Sequence, residues 1–195
     1  MISVVKGIME DAARALDAVR SNDATLSAIA RASEMMVASL KEGGTLFSCG
    51  NGGSMCDAMH FAEELSGRYR KDRAAVRAIS ISDPSHLSCV ANDYGYEFVF
   101  SRFLEAHGRK GDVLVAISTS GTSKNVKRAV EAARERGMKV VALTGRPGSV
   151  IGGLADVDIC TPGGEYADRV QEIHIKVIHT FIELIERALF PGLYR

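Results

Sequence analysis

Gly43-Gly44-Thr45-Leu46-Phe47-Ser48-Cys49-Gly50-Asn51-Gly52-Gly53-Ser54 is the stretch whose reading decides the fold. Upstream of it, apolar residues recur at helical intervals, first Val5, Ile8, Ala12, Leu16 and Val19, then Leu26, Ile29, Met35, Met36 and Leu40. That spacing predicts two successive helices reaching to about Lys41. The glycine pair ends the second helix, and from Thr45 to Cys49 the pattern becomes a short apolar run. The run breaks in a glycine loop that leads straight into another helical stretch, Met55 to Ser66. Strand, glycine loop and helix in direct succession form the opening unit of an alternating α/β chain.

Working outward, four more short apolar runs follow, Val76 to Ser82, Val113 to Ser118, Lys139 to Thr144 and Asp156 to Thr161. Strands this continuously apolar are covered on both faces, as in a parallel sheet. Helical stretches lie between them, at Tyr96 to His107, Ser123 to Arg136 and Ser149 to Leu154, and a long one closes the chain from Ala167 to Leu189. The alternation predicts a doubly wound, flavodoxin-like α/β fold: a five-stranded parallel sheet with helices on both faces. The whole of 1–195 reads as a single domain, with 1–41 an N-terminal helical extension and 42–195 the α/β core.

Composition narrows the function. Of the 195 residues 46% are apolar, enough for a substantial core, and 24 Lys and Arg balance 24 Asp and Glu. A chain of zero formal charge is not built to wrap nucleic acid or adhere to an anionic membrane, so an anionic ligand must be caught locally. Met1 to Arg20 mixes charge with apolar residues and lacks the apolar centre of a signal peptide, and no run is long enough to span a bilayer. These features predict a cytoplasmic protein. Cys49, Cys56, Cys89 and Cys160 form no C-x-x-C pair and read as reduced, mostly buried thiols.

Ligands of doubly wound sheets bind beyond the carboxyl ends of the strands, which directs attention to the loops after the first and third strands. In the first, Gly50, Asn51, Gly52, Gly53 and Ser54 let the backbone approach a ligand closely, and Ser54 with Asp57 matches an S-x-x-D capping signature for the next helix. A helix N-terminus reached this way favours anions. The spacing fits neither G-x-G-x-x-G nor the P-loop, which removes support for nucleotide binding. The second loop, Ser118-Thr119-Ser120-Gly121-Thr122-Ser123, offers five hydroxyls in six residues just before another helix. Hydroxyls and backbone N–H groups can surround a phosphate without a lysine, although Ser and Thr also favour helix starts for capping alone. Two such loops at one sheet edge point to a phosphorylated ligand.

His60 and Glu64 stand four apart, on one face of the helix that follows the glycine loop. The pair suits proton transfer or metal ligation, and equally an ordinary exposed pair. In the last helix Gln171 and His179 share a side, being eight residues apart at about 100° per residue, and His174 fits a hydrogen-bonded core histidine.

The segments SCGNGGS (48–54), CDAMHFAEELSGRYR (56–70), SHLSCVANDYG (85–95), GDVLVAISTSGTS (111–123) and YADRVQEIHIKVIH (166–179) together resemble the phosphoheptose isomerases of the SIS-domain superfamily, along essentially the whole chain. The resemblance implies that Asn51, Gly52, Gly53 and Ser54, with Ser118, Thr119, Ser120 and Ser123, hold a sugar phosphate, and that Asn92, Asp93, Asp168 and Gln171 contact the sugar. It implies Glu64 and His179 as the catalytic pair, with Glu64 also touching substrate, and a zinc site of His60, Glu64, Gln171 and His179, one ion per subunit. It further implies a cytoplasmic homotetramer with active sites at subunit interfaces. The activity implied is the interconversion of sedoheptulose 7-phosphate and D-glycero-D-manno-heptose 7-phosphate, on the way to the lipopolysaccharide core. A second branch of the superfamily, non-catalytic adaptors that bind the replication initiator DnaA, shares the fold and much of the phosphate loop, and its ending resembles Leu189-Phe190-Pro191-Gly192-Leu193. Having His60, Glu64 and His179 together favours the enzyme.

Overall fold

Two helices, α1 (Ile2–Arg20) and α2 (Asp23–Lys41), lead into the first strand, β1 (Leu46–Gly50), in the computed structural model, which describes residues 1–161, 163, 164 and 166–194. There follow α3 (Gly53–Ser66), β2 (Ala78–Ser80), α4 (Pro84–Tyr94), a 3-10 turn (Tyr96–Phe98) and α5 (Ser101–His107). The second half contains β3 (Val113–Ser118), α6 (Lys124–Glu135), β4 (Lys139–Thr144), α7 (Val150–Leu154), β5 (Val157–Cys160), α8 (Ala167–Leu189) and a closing 3-10 turn (Pro191–Tyr194). Among the described residues the five strands form one parallel sheet in the order β2-β1-β3-β4-β5, with Leu46 beside Val113, Val113 beside Lys139 and Val141 beside Val157. The doubly wound expectation holds.

Successive side chains of a strand point to opposite faces, and here both faces are apolar. Leu46, Val113, Val115, Ile117, Val141, Leu143, Val157 and Ile159 pack with α2, α3 and α8. Phe47, Cys49, Leu114, Ala116, Val140 and Ala142 pack with α4, α5, α6 and α7. Because the order reverses between β1 and β3, β1 feeds a helix of one layer and β3 a helix of the other, with their carboxyl ends side by side.

Several expectations need correction. Helix α4 is absent from the periodicity reading because only Val90 of its residues is buried, leaving no apolar stripe. Its signals were punctuation: the Asp83 carboxylate accepts from His86 N–H at 2.8 Å, Pro84 opens the helix and Gly95 closes it at φ +98°. The stretch from Tyr96 to His107 is two elements rather than one helix. Of Val76 to Ser82 only three residues pair with β1, at a sheet edge where Ile79 stays exposed. All four cysteines are free, but Cys56 and Cys89 are exposed, against the expected burial.

One buried ionic link fixes the ends of α3 and α8. The side chain of Arg73, 1% exposed, donates from Nε to Glu186 Oε1 at 2.8 Å, and Glu186 is 0% exposed. The rest of the guanidinium donates to the carbonyls of Glu64 at 2.7 Å, Leu65 at 2.7 Å and Gly67 at 3.0 Å, capping α3, and to Ala74. Tyr194 O–H donates to the second Glu186 oxygen, and burial followed by that carboxylate pushes the phenol up to about 12.

Candidate active site

The chain leaves β1 at Gly50 and turns at Gly52, whose φ of +54° lies in the region that favours glycine. This turn lets α3 start at Gly53, with Ser54 N–H donating to Asn51 O at 3.0 Å and Met55 N–H to Gly52 O at 2.9 Å. The expected Ser54–Asp57 cap does not form. Helix α3 is entered two residues before the spacing suggested, so Ser54 falls inside the first turn, 3% exposed, and the N-cap is Gly52. Asp57 Oδ2 is buried without a hydrogen-bond partner among the described residues, and burial raises this carboxyl to about 6.

After β3, Ser118 Oγ donates to Ser123 Oγ at 3.1 Å and accepts from Gly121 N–H at 3.2 Å, while Ser120 Oγ accepts from Thr122 N–H at 3.3 Å. Gly121 takes φ +65°, and its carbonyl accepts from Ile151 N–H. Ser123 is the N-cap residue of α6 but makes no side-chain cap bond, its hydroxyl facing the loop instead. The two loops meet through side chains: Asn51 and Asn125, the latter 4% exposed, exchange amide hydrogen bonds at 2.9 and 2.8 Å. Tyr96 O–H adds a bond to Asn51 Oδ1 at 3.3 Å. Asn92 and Asp93, hydrogen-bonded to one another at 2.8 Å, lie exposed at the end of α4, just before Tyr96.

Helices α3 and α8 lie side by side and run the same way. Gly53 abuts Gln171, closely enough that a Cβ there would stand 2.7 Å from its amide, and seven residues further along α3 His60 meets His179. The two Nε2 atoms are 2.9 Å apart, and Glu64 Oε1 is 3.7 Å from His60 Nε2. His60 Nδ1 lies 3.0 Å from Glu63 Oε1, an acceptor that puts the ring proton on Nδ1. With that proton on Nδ1, the His60 Nε2 is left to accept, and His179 supplies the hydrogen between them. Burial raises the Glu64 carboxyl, with Glu63 adding to the effect, and burial then His60, Lys176 and Arg70 lower His179. On either side of His60, then, stand a carboxylate made more basic and an imidazole made less so, groups suited to moving protons near neutral pH.

The structure thus brings His60, Glu64 and His179 together. Gln171 stands two turns of α8 from His179, against the glycine loop, and Asp168 is exposed in the first turn of α8, lining a cavity of about 570 Å³ with Asp11, Arg14 and Arg169. Thr119 and Ser120 line a smaller cavity of about 180 Å³ with Arg146, Tyr166 and Val170. His174 is a core histidine as expected: it is 0% exposed, Nε2 donates to Thr144 O at 3.2 Å, and burial pushes it down to about 4. Glu63, Asn125 and Tyr96 escaped the sequence reading. Glu63 has a helical-spacing signal, three residues from His60, whereas the pairing of Asn51 with Asn125 spans 74 positions and has none.

Residues 9–145 match the family model described as SIS domain. A phosphoheptose isomerase of Cytophaga hutchinsonii is 59% identical over 187 residues, covering 96% of this chain and 98% of that protein. Among solved structures, a phosphoheptose isomerase of Neisseria gonorrhoeae is 39% identical with TM-score 0.87, covering 94% of this chain and 97% of that one. Another from Francisella tularensis is 31% identical with TM-score 0.90, covering 95% and 98%.

Proposed function

We propose that this chain, which belongs to the SIS-domain family and within it to the phosphoheptose isomerases, interconverts sedoheptulose 7-phosphate and D-glycero-D-manno-heptose 7-phosphate, feeding heptose synthesis for the lipopolysaccharide core. The observation that carries the reading is the meeting of His60 and Glu64, on the helix that starts at the glycine loop, with His179 on the adjacent α8. The full-length likeness to isomerases by name favours this over the adaptor.

In the mechanism we propose, the Glu64 carboxylate takes a proton from C1 of the open-chain ketose, leaving the negative charge on O2 of an enediolate. The protonated carboxyl returns the hydrogen to C2, while the imidazole of His179 carries a proton from O1 to O2. No oxidant enters; one C–H bond is broken and one made. Burial suits Glu64 to this work by raising its proton affinity. Asn51, Gly52, Gly53 and Ser54, with Ser118, Thr119, Ser120 and Ser123, grip the phosphate at two helix N-termini, so binding energy remote from the reacting carbons positions the chain. Asn92, Asp93, Asp168 and Gln171 address the hydroxyls.

Zinc suits the donor set. Two imidazole nitrogens on one tetrahedral zinc stand roughly 3.3 Å apart, from Zn–N lengths of about 2.0–2.1 Å. The 2.9 Å between His60 and His179 is within a few tenths of that, and Glu63 on the far nitrogen of His60 is the outer support ligating histidines use. His60, Glu64 and His179 would hold the ion, and Gln171, two turns of α8 away against the glycine loop, is the fourth ligand that the resemblance implies. A bound zinc supplies Lewis acidity at the sugar carbonyl.

We also infer a cytoplasmic homotetramer. Among the described residues no helix is long and apolar enough to cross a membrane, and α1 exposes Ile2, Val4, Val5, Ile8 and Met9, an apolar face of the kind subunits cover. The test is an NMR assay with sedoheptulose 7-phosphate on wild type and Glu64→Gln, each with and without zinc, on protein whose mass in solution is measured. Conversion by the wild type and none by the variant is expected. Equal turnover by both would remove Glu64 from the reaction, and no turnover by zinc-supplied wild type would overturn the assignment.

A further inference from the structure

The reciprocal amide pair between Asn51 and Asn125 joins segments that belong to opposite layers of the fold. Asn51 sits in the glycine loop that leads into α3, and Asn125 in the first turn of α6, after the hydroxyl loop. Asn51 Oδ1 has two lone pairs, and it receives Asn125 Nδ2 at 2.8 Å and Tyr96 O–H at 3.3 Å. Asn51 Nδ2 gives one of its two hydrogens to Asn125 Oδ1 at 2.9 Å. The side chain that the family resemblance gives to substrate is thus largely occupied within the protein.

The pair is braced from behind. Arg128, one turn along α6, donates to Glu97 at 3.1 Å and lies 4.2 Å from the ring centroid of Phe98, pinning to α6 the 3-10 turn that carries Tyr96. Asn125 itself is 4% exposed, and a buried amide is kept in place only by satisfied hydrogen bonds.

We propose that Asn125 is a positioning residue of the phosphate site: through Asn51, with Tyr96 as third member, it sets the distance and angle between the glycine loop and the hydroxyl loop, and Asn51 serves the phosphate through the shape of its loop more than through its amide. The proposal rests on the phosphate reading of these loops. It predicts that Asn51 and Asn125 act as one unit, so that losing either equals losing both.

The experiment compares Asn51→Ala, Asn125→Ala, the double variant and Tyr96→Phe, measuring KM and kcat for sedoheptulose 7-phosphate, inorganic phosphate affinity by calorimetry, and melting temperature. Each alanine variant should raise KM and weaken phosphate binding about tenfold with kcat within about threefold, the loss of two hydrogen bonds that hold a site open in its binding shape. The double variant should be no worse than the weaker single one, where independent contacts would multiply to about a hundredfold. Additive losses, or an Asn125→Ala protein that melts lower yet binds phosphate and sugar as wild type does, would overturn the proposal. Should Asn125→Ala fail to fold, Tyr96→Phe decides: its hydroxyl is at the surface, so a two- to threefold rise in KM at unchanged melting temperature supports the strap and an unchanged KM refutes it. A wild-type protein that binds no inorganic phosphate refutes the phosphate reading itself, separately from the strap.

Discussion

Arg73→Met tests whether the buried link between α3 and α8 holds the reacting helices in place. The substitution keeps an unbranched apolar stem and removes the guanidinium, leaving Glu186, 0% exposed, with a buried carboxylate held by Tyr194 alone, and depriving the carbonyls of Glu64, Leu65 and Gly67 of their donor. Breaking a buried ion pair from one side costs about 3–5 kcal/mol. For a chain of this size each kcal/mol moves the melting temperature by about 2–4 °C, so a fall of roughly 10 °C is expected. Circular dichroism melts at fixed protein concentration measure it. Arg73→Met combined with Glu186→Leu should recover much of the loss, because the penalty lies in the unpaired charge. Since Arg73 also grips the carbonyl of Glu64, the single variant should lower kcat as well, measured well below its melting temperature. A single variant within about 1 kcal/mol of wild type, or a double variant showing the sum of two full single losses, would refute the reasoning.

Two further outcomes are expected. His174 is held neutral down to about pH 4, whereas in the unfolded chain it takes up a proton near 6.5, so its contribution to stability is complete above 6.5 and is lost as pH falls toward 4, by roughly 3 kcal/mol. Urea unfolding of wild type and His174→Leu across this range should show the variant less pH-sensitive by that amount, and parallel curves would contradict it. Gly50→Ala and Gly53→Ala should separate stability from function. A Cβ at Gly50 meets the Ser54 backbone at 2.6 Å, which cannot yield, whereas one at Gly53 meets the mobile end of Gln171. The first should cost about 2 kcal/mol or more in thermal unfolding, and the second less than about 1 kcal/mol while lowering kcat/KM several-fold. Equal stability losses would count against this contrast.

Periodicity made the strands and long helices legible because their burial is regular: every residue of β3 is buried, and α8 repeats its apolar face for its full length. Helix α4 was not legible, since a helix with one buried residue is specified by its caps and not by a stripe. In the site, the i,i+4 spacing of His60 and Glu64 placed them on one face, but nothing local could indicate that His179, 119 positions on, lies 2.9 Å from His60. That contact depends on α3 and α8 lying in register on one face of the sheet, a tertiary fact that only the family resemblance anticipated. The S-x-x-D signature failed for a backbone reason, as a glycine at positive φ opened the helix earlier than the side chains indicated.

The reversal of strand order between β1 and β3 has a consequence for how long the folded protein lasts. One loop is rooted in the layer of α3 and the other in the layer of α6, so a phosphate held by both, as proposed, would staple the two coats of the sheet together at their shared edge. Substrate at a hundred times its dissociation constant would add about 2.7 kcal/mol to the cost of unfolding. Metabolite supply would then set resistance to proteolysis as well as flux, the starved protein being the one most readily cleared.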